Sequence, residues 1–316
     1  MSFELILPFL RPIEPLLMDD RVSEIMGNPD GSWWSEREGV VRHEPSVTMR
    51  SDSLRTGLEV IANQLGKRLD EDSPVLNVQL PDGSRLAAVI PPVVKPSPAV
   101  TIRKFNSRHF VLEDLIARGT LTLPLAEYLA AQIADGKTLL ISGGTGTGKT
   151  TLLRILADAI PAHQRIVVIE DTVELAIKKP NILAVECQTD TFKSVISFDD
   201  LLKSALRWRP DRIILGEVRG VEARTLLDSL NTGHSGSLAT IHANTAEKAL
   251  HRLANLVMRS HAQSTFADIE AEIADAVDFV VHIEREPGRR IVREALALSG
   301  YDRDTKRFQI EPVFSA

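Results

Sequence analysis

Cysteine is nearly absent from this chain: Cys187 is the single one in 316 residues. One thiol can neither close an internal disulfide nor build a cysteine-clustered zinc site, so the chain fits a reducing compartment and Cys187 reads as small core filler. Long apolar runs are missing as well. No stretch approaches the roughly 20 residues that a membrane-spanning helix needs. Basic excess is also lacking. Lys and Arg total 37 against 43 Asp and Glu, a net charge of −6, so no global positive field advertises nucleic-acid binding. The segment Phe3 to Leu17 is apolar, but it lacks a basic start and carries Pro8, Pro12 and Pro15. It reads as a short broken helix packed on its own domain rather than a signal peptide. Docking to a membrane or a partner is its second reading.

What is there begins with length. A chain of 316 residues outgrows a single core, so two domains are expected. Residues 1–104 read as a small α+β domain. Val22–Gly27 is a strand, Asn28-Pro29-Asp30-Gly31 a turn, Ser32–Glu36 the return strand, and Glu38-Gly39 a turn into Val40-Val41. A helix follows over Ser51–Gly66, then a hairpin of Val75–Leu80 and Arg85–Ile90, and a last strand Val100–Lys104. Residues 105–112 read as a linker. In 113–316 short apolar strands at 138–142, 166–170, 182–186, 212–216, 237–242 and 278–283 alternate with helices. The helices fall at 124–135, 149–160, 198–208, 221–230, 245–260 and 266–276. That alternation predicts an α/β domain, a mostly parallel sheet with helices on both faces and its ligand site at the C-terminal strand ends.

The sharpest signal sits after the first of those strands. Gly143-Gly144-Thr145-Gly146-Thr147-Gly148-Lys149-Thr150-Thr151 carries the spacing of a phosphate-binding loop between a strand and a helix. Its glycines let several backbone N–H groups face one anion, and the helix N-terminus adds partial positive charge. Lys149 then reaches the β- and γ-phosphates and the Thr150 hydroxyl sits on Mg²⁺, which implies ATP and Mg²⁺ as cofactors.

Hydrolysis also needs one acid to help hold the metal and another to handle the attacking water. Glu217, ending Arg212-Ile213-Ile214-Leu215-Gly216, reads as the metal-side acid, and Glu170, ending Ile166–Ile169, as the water-activating one. Two histidines flank the strand at 237–242. The eight-residue spacing of His234 and His242 matches no zinc pattern, so both read instead as groups that sense the γ-phosphate.

Four boxes in this order resemble the secretion-ATPase superfamily of type II and type IV machines. They are the phosphate loop, Ile169-Glu170-Asp171, Arg209–Arg219, and Thr232-Gly233-His234-Ser235-Gly236 with Thr240-Ile241-His242-Ala243-Asn244. Within it the chain is most similar to TrbB-type conjugal-transfer ATPases, through Arg209-Pro210-Asp211-Arg212-Ile213, Val218-Arg219-Gly220 and Tyr301-Asp302-Arg303. It lacks the cysteine-rich zinc insertion of many type II relatives. The resemblance implies a RecA-like ATPase domain, a homo-hexameric ring, and a cytoplasmic motor at the inner face of the inner membrane. Its implied partners are the membrane proteins of a secretion or conjugation machine, and the acidic balance of the chain predicts no specific nucleic-acid binding. It further implies that an N-terminal arginine, Arg103 or Arg85, completes the site. The competing readings are a type II secretion or pilus motor, a hexameric DNA translocase, and a nucleotide-stabilised scaffold.

Overall fold

The structure is a computed structural model describing residues 7–37, 39–105, 110–187, 195–260, 264–286 and 288–315. It divides into two compact units, Met1–His109 and Phe110–Ala316. Of the linker expected at 105–112, residues 106–109 lie outside the described residues.

The first unit is built on a six-stranded antiparallel sheet. Its strands are β1 (Val22–Gly27), β2 (Trp33–Arg37), β3 (Val40–His43), β4 (Val75–Gln79), β5 (Arg85–Val89) and β6 (Ala99–Arg103), in the order β3-β2-β1-β6-β5-β4. The prolines keep the chain before β1 to short turns, Leu7–Phe9 and Arg11–Ile13, and to helix α1 (Glu14–Met18). Leu10, Ile13, Leu16 and Leu17 of this segment are buried with Leu54, Leu58 and Ile61 of α2 (Ser51–Gln64) in one core. The described part of the segment therefore packs on its own unit; Phe3 lies outside the described residues. One face of the sheet supplies Ile25, Trp33, Leu86, Val100 and Ile102 to that core.

The second unit holds an eight-stranded sheet flanked by helices. In chain order come α3 (Leu112–Ala117), α4 (Leu123–Ala134), β7 (Leu139–Ser142), α5 (Lys149–Ala157), β8 (Ile166–Glu170), β9 (Ile182–Glu186) and α6 (Phe198–Ala205). Then follow β10 (Arg212–Val218), α7 (Glu222–Asn231), β11 (Leu238–Ile241), α8 (Ala246–Ser260), α9 (Phe266–Ala276), β12 (Phe279–Glu286), β13 (Arg289–Asp302) and β14 (Arg307–Ser315). Strand order is β14-β13-β12-β7-β11-β10-β8-β9. The six strands from β12 to β9 are parallel, and β13 and β14 add an antiparallel edge.

Alternate residues of the central strands feed two cores. Leu140, Val167, Ile169, Ile213, Leu215 and Ile241 pack on the side of α6 to α9. Leu139, Ile141, Ile166, Val168, Ile214 and Leu238 pack on the side of α4 and α5. Burial on both faces is why these strands read as unbroken apolar runs. Cys187 is buried as well, and loss of solvent pushes its thiol up to about 11.

The sequence reading ends its strands at 283 and omits β13 and β14. Register shifts explain the omission. They fall between His282 and Ile283, between Ala295 and Leu296, and between Leu298 and Gly300. Each bulge inserts a residue and breaks the alternation that a strand shows in sequence. Helix α3 was also missed, because six residues are too short for a helical period to be recognised.

Candidate active site

The phosphate loop leaves β7 and enters α5. Gly143 packs so tightly that a Cβ there would lie 2.4 Å from the Ile283 carbonyl oxygen. Gly146 and Gly148 adopt φ of +70° and +96°, and Gly148 is the N-cap of α5. Side chains other than glycine pay heavily for these positions, so the loop can curl only with this spacing of glycines. The Thr147 hydroxyl donates to the Gly144 carbonyl at 3.0 Å. Lys149 is buried, its Nζ donating to the carbonyls of Gly143 at 3.1 Å and Gly144 at 2.8 Å. Thr150 and Thr151, in the first turn of α5, stay half-buried.

Parallel pairing carries the ends of β8, β10 and β11 to the same edge. Ser142 is level with Ile241, Ile241 with Val218, and Leu215 with Ile169. His242, one residue beyond β11, lies 3.4 Å from Lys149 Nζ through Nδ1. Its Nε2 is 3.2 Å from Oε1 of Glu217. The other Glu217 oxygen accepts from Arg219 Nη2 at 2.9 Å, and Arg219 Nη1 reaches Asp171 at 3.2 Å. Lys149, His242, Glu217, Arg219 and Asp171 thus form one polar chain across four strand ends.

The electrostatics of the chain set its protonation. Burial works against ionisation of Glu217, but the Arg219 guanidinium, aided by His242 and Lys149, holds its carboxyl below the ordinary glutamate value. Burial, and then the Lys149 charge, hold the His242 imidazole below its ordinary value despite Glu217. At neutral pH the acid is charged and the imidazole neutral.

The remaining expected residues divide. Glu170 is at this edge and 3% exposed. Its Oε1 accepts the backbone N–H groups of Glu174 and Leu175, each at 2.9 Å. That oxygen therefore shapes the loop carrying Asp171. His234 lies apart from these residues. It precedes β11, whose first residue Leu238 is level with Leu139 at the start of β7. Its Nδ1 lies 3.3 Å from the Ser229 carbonyl, and Gly236 beside it donates to Thr138. His234 therefore sits at the opposite edge of the sheet from its own chain's phosphate loop. Similar sequence settings hid this, because only strand direction separates the two histidines.

Arg85 and Arg103 belong to the first unit. They are cross-strand partners on β5 and β6, and Arg103 is also level with Glu24 of β1. Arg103 is half exposed, its Nε 3.9 Å from Glu24.

Arg219 and Asp171 are the site residues that sequence reasoning passed over. The signal for Arg219 was its place two residues after Glu217, which puts both side chains on one side of an extended segment.

Oxygen ligands suit Mg²⁺, and the Glu217 carboxylate and Thr150 hydroxyl are of that kind. Among the described residues no group of three or more His, Cys, Asp or Glu could hold a metal by itself.

A model of the family described as "Type II/IV secretion system protein" matches residues 10–296. The chain is 38% identical over 291 residues to the conjugal transfer protein TrbB of Rhizobium radiobacter, covering 90% of this chain and 86% of that protein. It is 31% identical to the type IV secretion system protein VirB11 of Bartonella quintana, covering 92% of each. Among solved structures, the VirB11 ATPase of the Brucella suis type IV secretion system, in complex with sulphate, is 28% identical with a TM-score of 0.50, covering 92% of this chain and 94% of that one. The pilus retraction motor PilT with bound ADP is 20% identical with a TM-score of 0.67, covering 96% of this chain and 85% of that one, a likeness of fold alone. With its phosphate loop, strand-end acid and histidine in this geometry, the chain belongs to the type II/IV secretion system protein family.

Proposed function

We propose that the chain is a Mg²⁺-dependent ATPase that powers a type IV secretion or conjugal-transfer machine. The observation that supports this most is the contact of Lys149 with His242, and of His242 with Glu217, beside a glycine loop at a helix N-terminus. Lys149 and the loop N–H groups bind the phosphates, while Thr150 and Glu217 hold Mg²⁺, which neutralises phosphate charge when bound. Glu217, charged and held by Arg219, also orients the attacking water. Neutral His242 reads the γ-phosphate and carries that information to Glu217. Glu170 organises the loop of Asp171. From the first unit, Arg103, or failing it Arg85, acts on turnover.

The family resemblance supports a homo-hexamer working in the cytoplasm at the inner face of the inner membrane, with the membrane proteins of the machine as partners. The likeness to TrbB favours conjugation over the other transport systems.

Lys149→Ala tests the reading. Phosphate release by the variant should fall by about 100-fold or more, because a charge aimed at the transferring phosphate is lost. Its thermal unfolding should stay close to that of the parent. Parental turnover in Lys149→Ala would remove this site from the chemistry.

A further inference from the structure

The β12–β13 hairpin reaches beyond the end of the strand it pairs with. Ser142, the last residue of β7, is level with His282, so Ile283–Glu286 extends along the phosphate loop. Two arginines of this hairpin, Arg285 and Arg290, are cross-strand partners. Arg290 Nε donates to the carbonyl oxygen of Gly146 at 3.2 Å. Its Cδ lies 3.1 Å from where a Cβ on Gly148 would stand, so its stem covers that glycine. Arg285 Nη1 is 3.3 Å from the corresponding point on Gly146. Both covered glycines are the left-handed ones that give the loop its curl. Of the other arginines on the hairpin, Arg289 pairs with Glu286 at 2.6 Å, and Arg293 pairs with Glu284 and Glu286.

Two guanidinium groups therefore lean on the glycine loop that opens α5. Guanidinium matches the geometry of phosphate oxygens and binds them through paired, charge-assisted hydrogen bonds. Resting on the nucleotide-binding reading above, we propose that this hairpin is a second, cationic wall of the same nucleotide site. Arg285 binds the phosphates of a nucleoside di- or triphosphate, and Arg290 is a positioning residue that holds Gly146 and Gly148 in their curled form. Their position at the middle of the loop, which on that reading receives the phosphates, favours phosphate over base as the group Arg285 reads.

Calorimetric binding of ADP, pyrophosphate and AMP to the full chain tests this, with Lys149→Ala as the reference. Arg285→Gln should weaken ADP and pyrophosphate binding alike, by about tenfold, as expected for a lost hydrogen bond to a charged group. Arg285→Lys should recover part of the loss. Arg290→Ala should lower kcat by about tenfold with the thermal midpoint unchanged, and Arg290→Lys, which can still donate to the Gly146 carbonyl, should restore much of it. Arg289→Ala, an exposed member of an ion pair on the same hairpin, should leave binding within about twofold.

Weaker ADP binding with parental pyrophosphate binding in Arg285→Gln would assign the arginine to base or ribose and overturn the phosphate role. A loss in Arg289→Ala equal to that in Arg285→Gln would reduce the effect to general charge. Parental binding by Arg285→Gln, with both ligands lost in Lys149→Ala, would remove the hairpin and leave the nucleotide site standing. A parent chain that binds neither ADP nor pyrophosphate would remove the nucleotide reading itself.

Discussion

The two sheets of this chain place their charges by opposite rules. In the first unit β6 alternates, with Val100 and Ile102 buried and Thr101 and Arg103 exposed, because only one face of the antiparallel sheet meets a core. A polar row runs across that other face at one level: Glu36, Glu24, Arg103, Arg85 and Gln79. In the second unit β7, β8 and β11 are buried at every position. A parallel sheet covered on both faces leaves no room for charge along its strands. Its chemistry is displaced to the strand ends, where Lys149, Glu217 and His242 meet. An antiparallel sheet offers a surface, and a doubly covered one offers an edge.

Turnover gives the largest expected contrast. Glu217→Gln at the edge should cut Mg²⁺-dependent ATP hydrolysis by about 100-fold, with binding of an ATP analogue retained. Arg103→Ala on the face should lower kcat by about tenfold with little change in ATP affinity, as for a group acting on the transition state. Steady-state kinetics beside nucleotide titration measure both. Equal, parental kinetics in Arg103→Ala would shift the proposal to Arg85, and parental hydrolysis in Glu217→Gln would break the edge rule where it matters most.

Stability sharpens the same contrast. Ile214, on β10, is fully buried between sheet and helices. Ile214→Ala should cost about 2–5 kcal/mol in denaturant unfolding. Thr101→Ala, on the exposed face of β6, should stay within about 0.5 kcal/mol. Similar losses at the two sites would mean that the exposed face is covered in solution.

The finest test concerns pH. In the proposed role Glu217 must be ionised to hold metal, and Arg219 keeps its carboxyl below the ordinary value. Glu217 should therefore stay ionised as pH falls through the ordinary glutamate range, and any loss of activity above that range belongs to protonation of His242. Removing the guanidinium leaves the burial penalty, which favours the protonated acid. Arg219→Gln should thus move the acid limb that belongs to Glu217 upward in the kcat profile. An unmoved limb would separate Arg219 from the ionisation of Glu217.

Much of the second unit was legible because its signals are local. The glycines of the phosphate loop, Lys149 and Thr150 are consecutive, and the buried strands announce themselves as short apolar runs. The first unit was legible through alternation and the Asn28–Gly31 turn. Legibility failed where periodicity is interrupted, as in β13 and β14 with their bulges, and where function depends on which end of a strand a residue occupies. His234 and His242 bracket one short strand, and chemistry alone treats them alike. Glu170 and Glu217 both end apolar strands, yet one has an oxygen held by two backbone amides and the other faces His242 and Arg219.

Backbone constraints act within a few residues, so the string of letters was enough for the loop, the helix start and the alternation of strands. Contacts between distant strands were not settled that way. Asp171 and Arg219 are 48 residues apart, Lys149 and His242 93, and Gly146 and Arg290 144. Those pairs meet because strand order and register bring them level, and order and register follow from burying both faces of the sheet at once.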